Sequence, residues 1–254
     1  MKKLCNRLKQ LLFPPRCIIC RDYLQPDTSI LFCSECLRHL PFVPKEHCPV
    51  CGKVTPSGSS LCFDCHNNRP AFRCHQSVLF YTKEIRQALL LFKFSHKRHY
   101  AIPIGTLMSN YITQDYDLIT AVPITRKRCR ERGYNQSQLL AEQIERLRGI
   151  PYADTLKKIK NTPPQSKLNF RKRQENIKNA FCAVQPNLLP GKRILLIDDI
   201  CTTGATLNEC AKVLIKEGAA YVDALTFAMT DRRIKQIKGT KTNETVTDFE
   251  TSPF

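Results

Sequence analysis

Four Cys-x-x-Cys pairs between residues 17 and 65 constrain the fold of this chain more than any other feature. The pairs are separated by 12, 11 and 10 residues, so they follow one another through a short, turn-rich segment. A Cys-x-x-Cys turn presents two thiolates to one tetrahedral metal ion, and a second such turn completes the coordination shell. The spacing therefore predicts two structural zinc sites, formed by Cys17, Cys20, Cys33, Cys36, Cys48, Cys51, Cys62 and Cys65.

The spacing leaves the pairing of these turns open. In a sequential arrangement the first pair shares a metal with the second, and the third with the fourth. A cross-brace instead joins the first with the third and the second with the fourth. His39, His47 and His66 lie close enough in sequence to replace a thiolate, although a surface histidine is the commoner explanation. A redox role is disfavoured, because redox enzymes carry one such motif beside a βαβ unit.

The rest of the sequence fits a cytoplasmic protein. The chain has 254 residues with fourteen cysteines, and Met1-Lys2-Lys3-Leu4-Cys5 does not lead into an export signal. No apolar run approaches the roughly 18 residues that a membrane-spanning helix needs. We therefore expect reduced, metal-binding cysteines, a cytoplasmic location and no membrane span. Residues 1–15 are predicted to form a basic amphipathic helix that ends at Pro14-Pro15.

From Gln76 onward, short apolar runs alternate with segments of helical periodicity. This alternation predicts a doubly wound, mostly parallel α/β sheet. The predicted domains are a zinc-binding module at 1–75, the α/β domain at 76–230 and a polar tail at 231–254. The predicted strands are Ser77–Tyr81, Leu118–Val122, Arg193–Ile197 and Tyr221–Ala228, and the predicted helices are Thr82–Phe94, a helix marked by Leu140, Ile144 and Leu147, and Thr206–Lys216.

The segment from Ile194 to Leu207 carries the most specific chemistry. An apolar strand delivers Asp198 and Asp199 at its carboxyl end, where open α/β sheets bind ligands. The loop that follows is built of small residues and leads into a helix, whose amino-terminal amides attract phosphate. Paired carboxylates suit the two hydroxyls of a diol, so the segment predicts a site for a ribose 5-phosphate.

This segment resembles the phosphoribosyl pyrophosphate signature of type I phosphoribosyltransferases. The resemblance implies that Asp198 and Asp199 contact the ribose hydroxyls as catalytic residues, and that Mg²⁺ accompanies the ligand. Cys201 stands where that family usually has an aliphatic residue. The implied 5-phosphate site consists of Thr202, Thr203, Gly204, Ala205 and Thr206.

Two further segments resemble parts of the same enzymes. Residues 121–136 resemble the segment that carries the pyrophosphate-facing loop, which makes Arg126, Lys127 and Arg132 candidate ligand-binding residues. Residues 165–181 lie where those enzymes carry a flexible lid. With the Cys-x-x-Cys pairs in front, the three segments together resemble the ComF (GntX-like) family over about residues 11–230. The Arg-Gly-Tyr-Asn-Gln run at 132–136 and the Arg-x-Arg-x-x-Asn run at 171–176 both fit this resemblance.

The ComF resemblance implies handling of single-stranded DNA during natural competence, with a helicase or DNA-processing proteins as possible partners. The charge is consistent with this, because the chain carries +18 and residues 126–178 hold 15 Lys or Arg against 5 Asp or Glu. Alternatively, this charge serves only pyrophosphate, and the aromatic residues belong to the core. The candidate DNA-binding residues are Arg128, Arg130, Tyr134, Phe170, Arg171, Lys172 and Arg173.

Three functions remain open at this point. The α/β domain is either an active phosphoribosyltransferase, whose acceptor no residue identifies, or a non-catalytic sensor of phosphoribosyl pyrophosphate. A zinc-dependent transcription regulator is the weaker third hypothesis, because the excess positive charge avoids the cysteine-rich segment.

Overall fold

A computed structural model describes residues 14–25, 31–55, 60–160 and 177–230. Within these ranges, four parallel strands form the central sheet in the order β1-β6-β5-β2, and β3 and β4 form a separate antiparallel pair. The strands are β1 (Cys74–Phe80), β2 (Leu118–Ala121), β3 (Leu156–Lys158), β4 (Phe181–Ala183), β5 (Arg193–Cys201) and β6 (Tyr221–Met229).

Seven α-helices lie in the described part of the chain. The two short ones, α1 (Ser34–Arg38) and α2 (Phe63–Asn67), each begin directly after a cysteine of a Cys-x-x-Cys pair. The five others belong to the α/β domain, and short 3₁₀ helices lie at Arg98–Tyr100 and Pro186–Leu188. The five α-helices of the α/β domain are α3 (Lys83–Phe94), α4 (Ala101–Ser109), α5 (Arg126–Arg132), α6 (Gln136–Arg148) and α7 (Ala205–Lys216).

The sheet is covered by helices on both faces, which confirms the predicted doubly wound fold. On β5, Leu195 and Ile197 face a core shared with α3, α4 and α6. The alternate residues Ile194 and Leu196 face a second core shared with α7. Because successive side chains of a strand point to opposite faces, a strand buried on both sides is apolar along its length.

The cysteine-rich segment is joined to the edge of this sheet by backbone hydrogen bonds. The amide of Val43 donates to the carbonyl of Val78 at 3.1 Å, and the amide of Phe80 donates to Pro41 at 2.7 Å. Near the start of β1, the amide of His75 donates to the carbonyl of Val50 at 2.8 Å. The two modules therefore share an extended interface at β1.

Three predicted segments fall largely outside the described residues: the amino-terminal helix over 1–15, the lid over 165–181 and the tail over 231–254. In the part of the chain that the structure describes, no helix has the length and apolarity to cross a bilayer.

Candidate functional site

The eight paired cysteines come together in two groups of four. One group contains Cys17, Cys20, Cys33 and Cys36, the other contains Cys48, Cys51, Cys62 and Cys65, and the sulfur atoms within each group lie within 4.8 Å of one another. The Sγ atoms of Cys20 and Cys33 are 3.7 Å apart, and those of Cys51 and Cys62 are 3.5 Å apart. Sulfurs that share a tetrahedral zinc ion at about 2.3 Å lie about 3.8 Å from each other, so both groups fit zinc.

This grouping confirms the sequential pairing of the Cys-x-x-Cys turns, and the cross-brace alternative is wrong. Among the described residues, His39, His47 and His66 belong to neither group. His47 instead places Nδ1 2.8 Å from the carbonyl oxygen of Pro44.

The second zinc-binding turn fits closely against β1. Gly52 has a φ of +71°, and a Cβ atom at this position would lie 2.8 Å from the carbonyl oxygen of His75. Only glycine satisfies both the left-handed backbone and the close approach. The turn therefore binds a tetrahedral ion on one side and contacts the sheet on the other.

Two carboxylates stand at the carboxyl end of β5. The strand extends to Cys201, beyond its predicted end at Ile197, so Asp198 and Asp199 lie within it. Oδ1 of Asp198 accepts hydrogen bonds from the hydroxyl of Ser137 at 2.7 Å and from the Asp199 amide at 2.9 Å. Burial, followed by repulsion from the Asp199 carboxylate, raises the pKa of Asp198 to about 7.

Asp199 has a different partner. Its Oδ2 lies 2.5 Å from Nζ of Lys93, at the end of α3, and both side chains are largely buried. The ammonium group of Lys93 compensates the charge of this buried carboxylate. Adjacent carboxylates thus have distinct environments, with a hydroxyl beside one and an ammonium group beside the other.

The loop after β5 has the geometry of a phosphate site. Gly204 adopts a φ of +74°, which turns the chain into α7, a helix of 12 residues that begins at Ala205. The hydroxyl of Thr203 accepts from the Ala205 amide at 3.3 Å, and the hydroxyl of Thr230 donates to the carbonyl of Thr202 at 3.1 Å. A hydroxyl-lined loop at the positive end of a helix favours an anion.

The Arg-Gly-Tyr-Asn-Gln run at 132–136 is a turn between two helices. Gly133 ends α5 with a φ of +79°. Asn135 caps α6 by accepting from the Ser137 amide at 3.2 Å, and its Nδ2 donates to the carbonyl of Val122 at 3.1 Å. The turn therefore fixes the start of α6 against the end of β2, which places the Ser137 hydroxyl beside Asp198.

The turn also carries two polar side chains, those of Arg132 and Gln136, that contact each other. Nη1 of Arg132 donates to Oε1 of Gln136 at 3.0 Å, and its guanidinium group lies 5.0 Å from the centre of the Phe94 ring. Burial lowers the pKa of Arg132, and the negative charge of Asp199 acts in the opposite direction. Gln136 is 2% exposed, and its Nε2 has no hydrogen-bond partner among the described residues.

Residues 126–132 form a helix within the segment that resembles the pyrophosphate-facing loop. Thr125 caps α5 by accepting from the Arg128 amide at 3.3 Å, and Gly133 ends it, which favours helix in between. Arg126, Lys127 and Arg130 are exposed on α5. Only the short segment from Val122 to Thr125 connects β2 to this helix.

The candidate DNA-binding residues are only partly described. Arg128 is half-buried and Arg130 is exposed, whereas Phe170, Arg171, Lys172 and Arg173 lie outside the described residues. Tyr134 is 5% exposed, and its hydroxyl donates to the carbonyl of Phe92. This placement favours the alternative that Tyr134 is a core aromatic, because a buried ring offers no face for base stacking.

Sequence reasoning missed Lys93 and Ser137. A lysine in the last turn of a helix is ordinarily explained by the helix dipole, and a serine early in a helix by capping. Only their positions in the sequence could have indicated a role at the site. Lys93 follows the buried Phe92, and Ser137 follows the Arg-Gly-Tyr-Asn-Gln run.

Comparison with known families agrees with this architecture. The model of the double zinc ribbon domain matches residues 8–66, and that of the phosphoribosyl transferase domain matches residues 105–251. "Competence protein F" of Haemophilus influenzae is 32% identical over 82% of this chain and 93% of its own length. The chain belongs to the ComF family.

Other ComF relatives are similar over comparable lengths. "DNA utilization protein YhgH" of Salmonella typhimurium is 29% identical over 87% of this chain and 99% of its own length. "Competence protein ComFC" of Bacillus subtilis is 28% identical over 80% of this chain and 85% of its own length. The likeness therefore spans both the zinc ribbons and the phosphoribosyltransferase domain.

Proposed function

We propose that this ComF-family chain is a cytoplasmic competence protein that binds phosphoribosyl pyrophosphate with Mg²⁺ and acts on or with single-stranded DNA. The observation that carries the proposal is the convergence at the end of β5 of paired carboxylates, a hydroxyl-lined loop and cations. The names of the relatives support the biological setting, since two are competence proteins and one is a DNA utilisation protein.

Each part of the ligand has a candidate partner. The 5-phosphate binds the loop Thr202–Thr206, where backbone amides and threonine hydroxyls surround it at the start of α7. Asp198 and Asp199 accept hydrogen bonds from the two ribose hydroxyls. The pyrophosphate lies toward Arg132 and the exposed Arg126 and Lys127 of α5, which supply positive charge.

The donor set also fits magnesium. Two carboxylates side by side are the hard oxygen donors that Mg²⁺ prefers. A Mg²⁺ ion held there with the ligand would supply positive charge to neutralise the pyrophosphate. Asp198 and Asp199 would hold the ion, and Lys93 adds the protein's own positive charge beside Asp199.

Transfer at C1 of the ribose would proceed through an oxocarbenium-like transition state with pyrophosphate as the leaving group. Asp198 and Asp199 hold the ribose in position, Ser137 orients the Asp198 carboxylate, and Arg132 stabilises the negative charge that develops on the leaving group. None of the described residues identifies the acceptor that would attack C1. The alternatives are therefore transfer to a nucleobase or small molecule without a DNA role, and ligand sensing without transfer.

The proposal is tested first by ligand-induced stabilisation. Phosphoribosyl pyrophosphate with Mg²⁺ should raise the melting temperature of the zinc-loaded chain by mass action. Replacing Asp198 and Asp199 together with Asn should remove this shift. Because the double variant leaves Lys93 unpaired, circular dichroism first checks that the protein without ligand is folded. An unchanged shift in the double variant would place the ligand elsewhere.

A second assay separates the enzyme from the sensor. Pyrophosphate release is measured with phosphoribosyl pyrophosphate alone, with nucleobases and with single-stranded DNA. Release that depends on one addition identifies the acceptor class, whereas binding without release under all conditions supports the sensor.

A further inference from the structure

A cavity of about 300 Å³ lies between the second zinc ribbon and the phosphate loop. One wall is formed by the ribbon, with Lys53 and Phe63, and the other by Thr202, Thr203 and Gly204. Phe72 also lines the cavity, as does Met229 at the end of β6. Its volume falls at the lower end of the range of about 300–1,000 Å³ that is usual for small-molecule sites.

The ribbon wall is held to the elements that carry the loop. The hydroxyl of Thr226, on β6, donates to Nε2 of His75 at 2.9 Å, because Nδ1 must itself donate to the Cys51 carbonyl at 3.0 Å. The amide of Ala71 donates to Oδ1 of Asn208, on α7, at 2.7 Å. These contacts fix the metal-binding turn relative to β6 and α7, so the cavity is part of the fold.

Phe63 is the unusual residue of this cavity. Its side chain is 82% exposed, whereas Phe72 is 3% and Met229 is 4% exposed. Phe63 begins α2 directly after the predicted metal ligand Cys62, so the ribbon presents an aromatic ring to solvent in a cavity that the buried Phe72 and Met229 also line. Such a ring offers a flat face on which a nucleobase stacks, without selecting one base.

The charged groups of the cavity favour an anionic ligand. Lys53 and Arg69 line it, and the amino-terminal end of α7 opens into it at Gly204 and Ala205. Lys53 is bound to Asp64, which also lines the cavity and holds the lysine in place. A phosphate group is therefore favoured at the loop and an aromatic group at Phe63.

We propose that this cavity binds the base of a 5′-phosphorylated nucleoside, with Phe63 as the stacking residue. The inference rests on the proposed function in one respect, since the phosphate of the ligand occupies the loop Thr202–Thr206. It assigns the second zinc ribbon a direct part in ligand binding, beyond stabilising the fold. The nucleoside is either a free mononucleotide or the end of a single strand.

The sequence contains no tryptophan, which makes a direct test possible. Phe63→Trp introduces the sole tryptophan of the chain at the cavity, where it can be excited selectively over the eight tyrosines, and keeps a stacking face. Tyr23→Trp is the matched control, because Tyr23 lies on the first ribbon with 62% exposure and does not line the cavity. The probes are adenosine 5′-monophosphate, ribose 5-phosphate and a 5′-phosphorylated oligodeoxyadenylate, each added to the zinc-loaded full chain.

Adenosine 5′-monophosphate should quench the fluorescence of Phe63→Trp in a saturable manner and leave Tyr23→Trp unchanged. Ribose 5-phosphate should not quench, but should compete with the nucleotide. Phe63→Ala should weaken nucleotide binding about tenfold and leave ribose 5-phosphate binding unaltered, since one stacked base is lost. If the oligonucleotide saturates the quenching at a lower concentration than adenosine 5′-monophosphate, the ligand is the end of a strand. If adenosine 5′-monophosphate saturates it at the lower concentration, the ligand is a free nucleotide.

Two results would overturn the inference: equal quenching of both reporters, or no quenching of Phe63→Trp by either nucleotide probe. The proposed function fails separately, if wild-type protein shows no thermal shift with phosphoribosyl pyrophosphate and Mg²⁺. Because Phe63 is exposed, its substitutions should not unfold the protein, and circular dichroism checks this.

Discussion

Nζ of Lys93 lies 2.5 Å from Oδ2 of Asp199, and the side chains retain only 19% and 8% of their solvent exposure. The two residues are far apart in sequence, so the pair joins the end of α3 to the end of β5. Removing one member of such a pair leaves a buried charge without compensation. The pair therefore ties the stability of the fold to the residues proposed to hold the ribose.

Lys93→Met should lower the free energy of unfolding by about 3 kcal/mol, because it leaves the Asp199 carboxylate unpaired. Adding Asp199→Asn should restore most of the loss, which urea denaturation of the single and double variants measures. Lys83→Met, at the exposed start of the same helix, is the control and should change stability by no more than about 0.5 kcal/mol. A double variant no more stable than Lys93→Met would contradict the pairing.

The raised pKa of Asp198 makes stability depend on pH. Burial and the Asp199 charge raise this pKa to about 7, against about 4 in an unfolded chain. Between these values the folded chain holds a proton that the unfolded chain releases, so the contribution of Asp198 to stability falls as pH rises. Asp198→Asn should therefore have a higher melting temperature than wild type at pH 8 and a smaller advantage at pH 5.

Thermal unfolding at the two pH values checks this prediction. Asp115→Asn serves as the control, because Asp115 is an exposed carboxylate. The prediction fails when the advantage of Asp198→Asn is the same at both pH values.

The grouping of the cysteines predicts which double substitutions remove one zinc ion and which remove two. Wild-type protein should contain about two zinc ions per chain. Because Cys20 and Cys36 share a site, replacing both with Ser should leave about one ion. Replacing Cys20 and Cys51 damages both sites and should leave close to none. Elemental analysis of reduced protein measures the content, and a cross-brace would give the reverse result.

The features predicted correctly from sequence depend on residues that are close along the chain. The strand, the two acids and the turn into α7 follow from an apolar run, adjacent carboxylates and Gly204 within one short segment. The Cys-x-x-Cys spacing likewise indicates metal ligands, but only the folded chain brings particular turns together.

The features that sequence did not predict depend on distant contacts. Helix α4 contains Pro103 and Gly105, which lower helix propensity. It is stabilised by packing on α6, where a Cβ atom at Gly105 would lie 2.7 Å from Cγ of Gln143. The roles of Lys93 and Ser137 were likewise invisible, because each depends on where β5 places its carboxylates.

The last prediction concerns single-stranded DNA. Arg126, Lys127 and Arg130 form an exposed basic face on α5, next to the proposed pyrophosphate site. If a strand follows this face, reversing the three residues to Glu should weaken binding and lower its dependence on salt. The logarithm of the binding constant changes with the logarithm of salt by about 0.7 per phosphate contact on a single strand, so the slope should fall by about 2.

The control is a reversal of equal size, at Lys2, Lys3 and Lys9, near the amino terminus. Fluorescence anisotropy with a labelled oligonucleotide at low and moderate salt compares the two variants, and a third variant reverses Arg171, Lys172 and Arg173. Because all three change the net charge equally, general attraction predicts equal losses. A larger loss for the α5 variant locates the strand beside the proposed pyrophosphate site, and a larger loss for the 171–173 variant assigns binding to that segment. Equal losses in all three reduce DNA binding to non-specific charge attraction.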